Sequence, residues 1–173
     1  MFRKLIVFIL ILIFSLSFPT FAQDSQQEQT GLELELSAFI VNTVKDVEGN
    51  EKEVFIPATR AQVGQLIEYR IRAVNNTESV ISASSAKISV PIPNVTKYVD
   101  GSALENDLFR LEFSVDGGQN FAEAPLLRVI KNDKGEEVSE VIDPSEYQVV
   151  RWTILKKIDP KEVYNLSYRV EVK

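Results

Sequence analysis

The chain has no cysteine and no histidine, and only one tryptophan and one methionine, in 173 residues. Without cysteine it can form no disulfide, no thiolate nucleophile and no lipid anchor on an N-terminal cysteine. Without histidine it can build neither a Ser-His-Asp triad nor a zinc site of the usual kind. Acid–base work near neutral pH would fall to carboxylates, lysines or tyrosines. A glycosidase-type carboxylate pair is the enzymatic chemistry that survives. With 25 acidic residues, however, some lie near one another by chance, and a solvated acidic surface is the simpler account. Helical periodicity is also missing: beyond residue 22 no stretch keeps it for more than a turn or two.

Long hydrophobic runs are confined to the start. Arg3 and Lys4 precede the apolar run Leu5–Phe14, a softer Ser15-Leu16-Ser17-Phe18-Pro19 follows, and the segment closes on Thr20-Phe21-Ala22. A charged start, a short apolar centre and a small-residue ending are the parts of a secretory signal peptide. A membrane-spanning helix wants roughly 20 apolar residues, about twice the run present, so cleavage is expected over a retained anchor. The expected organisation is a signal peptide at 1–22, a flexible polar leader QDSQQEQTG at 23–31, and one folded domain at 32–173. The product would be periplasmic or secreted, with no membrane insertion after cleavage. Removing Arg3 and Lys4 leaves 17 basic residues against 25 acidic ones, a net charge near −8. That charge argues against nucleic-acid binding. A cysteine-free exported domain must be stabilised by packing alone.

Period-two alternation dominates the rest. Leu32, Leu34, Leu36 and Ala38 alternate with Glu33, Glu35 and Ser37, which predicts a strand with one buried face. Further strands are expected at Lys52–Ile56, Gln65–Val74, Ala86–Val90, Lys97–Val99, Phe109–Val115, Leu126–Ile130, Glu137–Ile142, Tyr147–Leu155 and Val163–Val172. Turn chemistry separates them: Asp46 to Asn50, Asn75-Asn76-Thr77, Asp100-Gly101, Asp116-Gly117-Gly118, Asn132-Asp133-Lys134-Gly135 and Asp143-Pro144-Ser145. Eight to ten short strands in one domain predict an all-β antiparallel sandwich, since two sheets facing each other bury both apolar faces. A closed barrel satisfies the same pattern.

Several segments, taken in order, resemble the conserved repeat domain of bacterial surface proteins, the Ig-like domain of unknown function numbered eleven. They are Val63-Gly64-Gln65-Leu66-Ile67-Glu68-Tyr69-Arg70-Ile71-Arg72-Ala73-Val74-Asn75, then Ile92-Pro93, Tyr98-Val99-Asp100-Gly101-Ser102, the Ser114–Phe121 turn and Arg151-Trp152. The resemblance covers roughly residues 60–172 and implies an Ig-like β-sandwich. Relatives often carry tandem copies, whereas no internal repeat is visible in this chain. The family has no assigned catalytic residues, so none carry over.

Ser114-Val115-Asp116-Gly117-Gly118-Gln119-Asn120-Phe121 is also similar to an Asp-box, in which the serine and aspartate side chains bond to hairpin backbone and the aromatic ring packs beneath. Its expected role is structural. The loop carboxylates Asp100, Asp116, Asp133 and Asp143 lack the spacing of a dedicated calcium loop. Trp152, between Val150 and Ile154 at period two, is expected in the core rather than as a platform for sugar rings. The sequons at Asn75, Asn94 and Asn165 matter only in a glycosylating host. Val163–Val172 could accept a partner's strand if it lies at a sheet edge, with Arg169, Glu171 and Lys173 as edge protection. No catalytic, cofactor-binding or metal-binding residue is assigned, and no cofactor is expected. The expectation is a non-enzymatic module, structural or protein-binding, whose partner is another envelope or surface protein. The alternative is a carbohydrate- or calcium-dependent binding module.

Overall fold

The computed structural model describes residues 31–173, so the expected signal peptide and most of the expected polar leader lie outside the described residues. Ten strands follow one another: β1 Leu32–Lys45, β2 Glu51–Pro57, β3 Leu66–Asn75, β4 Lys87–Pro91, β5 Thr96–Tyr98, β6 Phe109–Ser114, β7 Leu127–Lys131, β8 Glu137–Val141, β9 Val149–Ile154 and β10 Val163–Val172. The only helical element among the described residues is a 3₁₀ turn at Pro144–Glu146, capped by the Asp143 carboxylate, which accepts from the Ser145 N–H. Every strand expected from alternation is present, and the domain is an antiparallel β-sandwich. A five-stranded sheet, ordered β2-β1-β3-β10-β5, packs on a three-stranded sheet ordered β4-β9-β6.

The core lies where the narrower sheet covers the wider one. Ile67, Ile71, Tyr164, Leu166, Tyr168 and Val170 come from β3 and β10, and they meet Ile88, Phe113, Val150, Trp152 and Ile154 from β4, β6 and β9. Each fully buried aliphatic side chain contributes about 1.5–3 kcal/mol. The aromatic residues in this layer have their polar atoms satisfied. The Trp152 indole N–H donates to the Leu104 carbonyl at 2.9 Å, and the Tyr168 hydroxyl donates to the Pro91 carbonyl at 3.2 Å. Trp152 is fully buried, as alternation predicted.

Asn75, also fully buried, closes one end of the sandwich. Its amide nitrogen donates to the Ser79 carbonyl at 2.8 Å and to the Ile158 carbonyl at 3.0 Å. Its oxygen accepts from the Thr77 N–H at 3.1 Å and the Thr77 hydroxyl at 2.7 Å. The end of β3, the turn after it and the chain entering β10 are thus tied to a single side chain. Burial excludes Asn75 as a glycosylation acceptor, whereas Asn94 and Asn165 are exposed.

The structure corrects one expectation and decides two points that the sequence left open. The apolar face of β1 is not buried along its length: Leu34 and Leu36 are 40% and 58% exposed. The five-stranded sheet is wider than its partner, so described residues cover its inner face beyond β3 only in part: Leu32, Ala38 and Ile40 still pack against the core, and Leu34 and Leu36 stand exposed. Second, β10 is not an edge strand, because it pairs with β3 along Val163–Glu171 and with β5 at Val170–Val172. Third, β7 and β8 belong to neither sheet. They form a separate two-stranded ribbon, all ten residues of which are exposed.

Candidate interaction surface

The wide sheet's outer face carries a cluster built on β1, β2, β3 and β10. Phe39, Val41 and Phe55 point to this face, and the Arg70 guanidinium lies 4.7 Å from the Phe39 ring centre and 4.2 Å from that of Phe55. Glu68, nearly buried, accepts from Arg70 at 2.6 Å and from Arg169 at 2.9 Å. Arg169 in turn grips both oxygens of Glu53, at 2.7 and 2.6 Å. Glu53 and Arg169 belong to β2 and β10, which two other strands separate. The pair therefore reaches across the outer face of β1 and β3, and it ties the two flanking strands together through side chains alone. Val41, on the same face, is buried to 8% exposure. Hydrogen bonds from Arg169 hold the Glu53 carboxyl below its usual range, so the clamp is ionised at neutral pH. Arg169, expected to protect an edge, instead organises this network.

On the other face the hairpin leaves apolar surface open. Leu34, Leu36, Val54 and Ile56 are exposed there, beside the half-buried Ala38 and Ile40. β2 pairs with β1 only over Phe39–Lys45, while β3 pairs with β1 over Leu32–Ile40. The first part of β1, Leu32–Ser37, therefore has no described strand on its other side.

The β7–β8 ribbon is the second open surface. Leu126 and Ile142 root it in the core, bonded to each other through the Ile142 N–H at 2.9 Å. Above them Leu127 pairs with Val141 on one face, and Ile130 with Val138 on the other. All four are exposed, as is Val129. Arg128 braces the ribbon by donating to Glu140 at 2.7 Å and to Glu146 of the 3₁₀ turn at 2.9 Å. A two-stranded ribbon is marginal in water by itself. Five exposed aliphatic side chains on one add no stability unless something covers them.

The Asp-box turn has the bonding expected of it. Asp116 accepts from the Gln119 and Asn120 N–H groups, both at 3.0 Å, from the Asn120 amide at 2.7 Å and from the Ser114 hydroxyl at 2.7 Å. These bonds, the Asn120 N–H foremost, hold its carboxyl far below the usual range. Phe121 packs under the Arg151 guanidinium at 3.6 Å, and Arg151 is paired in turn with Glu112 at 3.0 and 3.1 Å. Burial opposes ionisation of Glu112, but Arg151 and Thr153 outweigh it and lower its pKa. Every oxygen of Asp116 is thus engaged in its own turn. In the β7–β8 turn it is Asn132, rather than Asp133, that holds the loop, by accepting from the Lys134 and Glu136 N–H groups. Among the described residues, Asp100, Asp116, Asp133 and Asp143 do not converge, and no group of three or more acidic side chains could hold a metal ion. Trp152, being buried, offers no platform for a sugar ring.

Among the described residues, these features define a β-sandwich whose distinctive surfaces are an apolar ribbon and a sheet edge that no described strand covers. No family model, curated protein or solved structure matches the chain. No helix among the described residues is long and apolar enough to cross a membrane.

Proposed function

We propose that this chain is an exported, non-enzymatic β-sandwich module that binds another protein at the bacterial envelope, in the periplasm or beyond. The observation that carries the proposal is the β7–β8 ribbon, with Leu127, Val129, Ile130, Val138 and Val141 exposed outside both sheets. Exposed aliphatic side chains gathered on one element mark interaction surfaces, and a rigid sandwich is a suitable frame for presenting them. The start of the chain supports export, through its charged, apolar and small-residue segments. The ordered resemblance to the repeat domain of surface proteins supports the envelope as the place of work.

The test is crosslinking in intact cells of the native host, with a photoreactive residue in place of Val129. A reproducible protein adduct that disappears when Leu127→Ser and Val138→Ser are added is the expected result. Both positions are exposed, so the double variant should keep its melting temperature. No adduct at the ribbon under any growth condition would refute the reading.

A further inference from the structure

We propose that the open edge of β1, Leu32–Ser37, takes up an extended segment of a partner protein as an additional strand, and that this segment alternates apolar with basic residues. The inference rests on the protein-binding reading above but on a different surface, and it names the chemistry of the partner.

Backbone geometry comes first. The Ala58 N–H donates to the Ala38 carbonyl at 2.9 Å, so the peptide groups of Ala38 face away from β3. Peptide groups alternate sides along a strand. Leu32, Leu34 and Leu36 therefore aim their N–H and C=O groups in the same direction, where no described strand meets them. Six residues at ~3.3 Å each make about 20 Å of template, the length of an ordinary strand.

Exposed edges are commonly blunted by lysine, proline, bulges or inward charges. The neighbouring edge, β2, is guarded in this way by Glu51, Lys52, Glu53 and Pro57. Leu32–Ser37 has no lysine, no proline and no charge on its inner side. Instead Leu34 and Leu36 lie on that side, 40% and 58% exposed, and an added strand would cover them with its own apolar residues.

Charge on the outer side selects the occupant. Glu33 and Glu35 both point there. Glu33 accepts from the Asn76 amide, and Glu35 meets Arg72 of β3 at 3.4 Å, with both side chains of that pair about half exposed. Residues directly opposite across a strand pair interact, favourably for opposite charges and unfavourably for like ones. A second copy paired antiparallel over the whole segment would set Glu35 against a glutamate of that copy. A strand with lysine or arginine at alternate positions meets Glu33 and Glu35 with the right sign. The net charge of −6 draws such a segment in.

The test uses the exported protein and two synthetic, end-capped peptides of seven residues, one alternating valine with lysine and the other valine with glutamate. Amide exchange by NMR reads the edge, and fluorescence anisotropy of labelled peptide reads affinity. The Leu34 and Leu36 amides should exchange freely in the unliganded protein. They should gain at least about tenfold protection with the lysine peptide, which should bind about tenfold or more tighter than the glutamate peptide. The double variant Glu33→Lys and Glu35→Lys, its fold checked by melting temperature because Glu35 faces Arg72, should reverse that preference. Equal binding of both peptides would overturn the proposal. So would protection already present in the free protein, whether independent of concentration (the chain's own residues 23–30 on the edge) or rising with it (self-pairing). A ribbon adduct obtained without any response at Leu34 and Leu36 would sink this inference alone and leave the protein-binding reading standing.

Discussion

Replacing Asn75 by alanine should be among the costliest single changes in the domain. The side chain makes four hydrogen bonds: two donated, to the Ser79 and Ile158 carbonyls, and two accepted, from the N–H and hydroxyl of Thr77. Each is worth about 0.5–1.5 kcal/mol net, and those at a fully buried point lie toward the upper end because water cannot replace the lost partner. Two features moderate the loss. The Ile158 carbonyl keeps a second donor, the Ile81 N–H at 3.0 Å, and Ser79 is exposed and can turn to solvent. About 3 kcal/mol is therefore expected, a substantial fraction of the ~5–15 kcal/mol typical of whole domains. Urea unfolding followed by Trp152 fluorescence is the assay, since Trp152 is the only tryptophan and is fully buried when folded. With a slope of about 1–3 kcal/mol per molar, the midpoint should fall by about 1–3 M with the slope unchanged. A double-mutant cycle with Thr77→Val should show strong coupling, because both residues belong to one network. A loss below about 1 kcal/mol, or additive effects, would refute the assignment of Asn75 as the tie between β3 and the entry to β10.

Two further predictions concern the Asp-box turn. The Asp116 carboxyl is held below its ordinary value by the Asn120 and Gln119 N–H groups and the Ser114 hydroxyl. Its contribution to stability is therefore complete above the unfolded-state value of about 3.9 and is lost as pH falls through the lower folded-state value. Asp116→Asn should flatten the fall of melting temperature below about pH 4; Asp46 and Asp143, lowered likewise, preserve part of the slope. Identical slopes for variant and parent would contradict the turn geometry. Gly118→Ala should destabilise the fold by about 1 kcal/mol or more, because φ is +94° there and a methyl group cannot be relieved by moving a neighbour. An unchanged denaturation midpoint would refute it.

Much of the architecture was legible because its signal is local. Alternation along Ile67, Tyr69, Ile71 and Ala73, or along Tyr164, Leu166, Tyr168 and Val170, states which side of a strand is apolar, and burial followed. Turns were equally plain, since Asp116-Gly117-Gly118 and Asn132 to Gly135 need side-chain acceptors and positive φ that few other residues supply. The same rule misled at Leu34 and Leu36, because alternation reports an apolar face without reporting what stands opposite it. The Phe39–Lys45 half of β1 escaped notice for a related reason. Val41 is buried on the outer face, the face opposite to the one that alternation assigned to the core, and no periodicity of a single strand contains that.

The sequence by itself determined that this is an all-β domain of eight to ten strands, with Trp152 inside, the Asp116 turn structural, and no histidine or cysteine chemistry available. Composition and backbone propensity act residue by residue and need no partner to be read. Only the tertiary structure decided that β10 is central, that Glu53 and Arg169 pair across the outer face, that β7 and β8 stand apart, and that no described strand lies beside Leu32–Ser37 on its other side. Those are properties of strand order and of unequal sheet widths, which depend on contacts between residues as much as 116 positions apart, as in the Glu53–Arg169 pair.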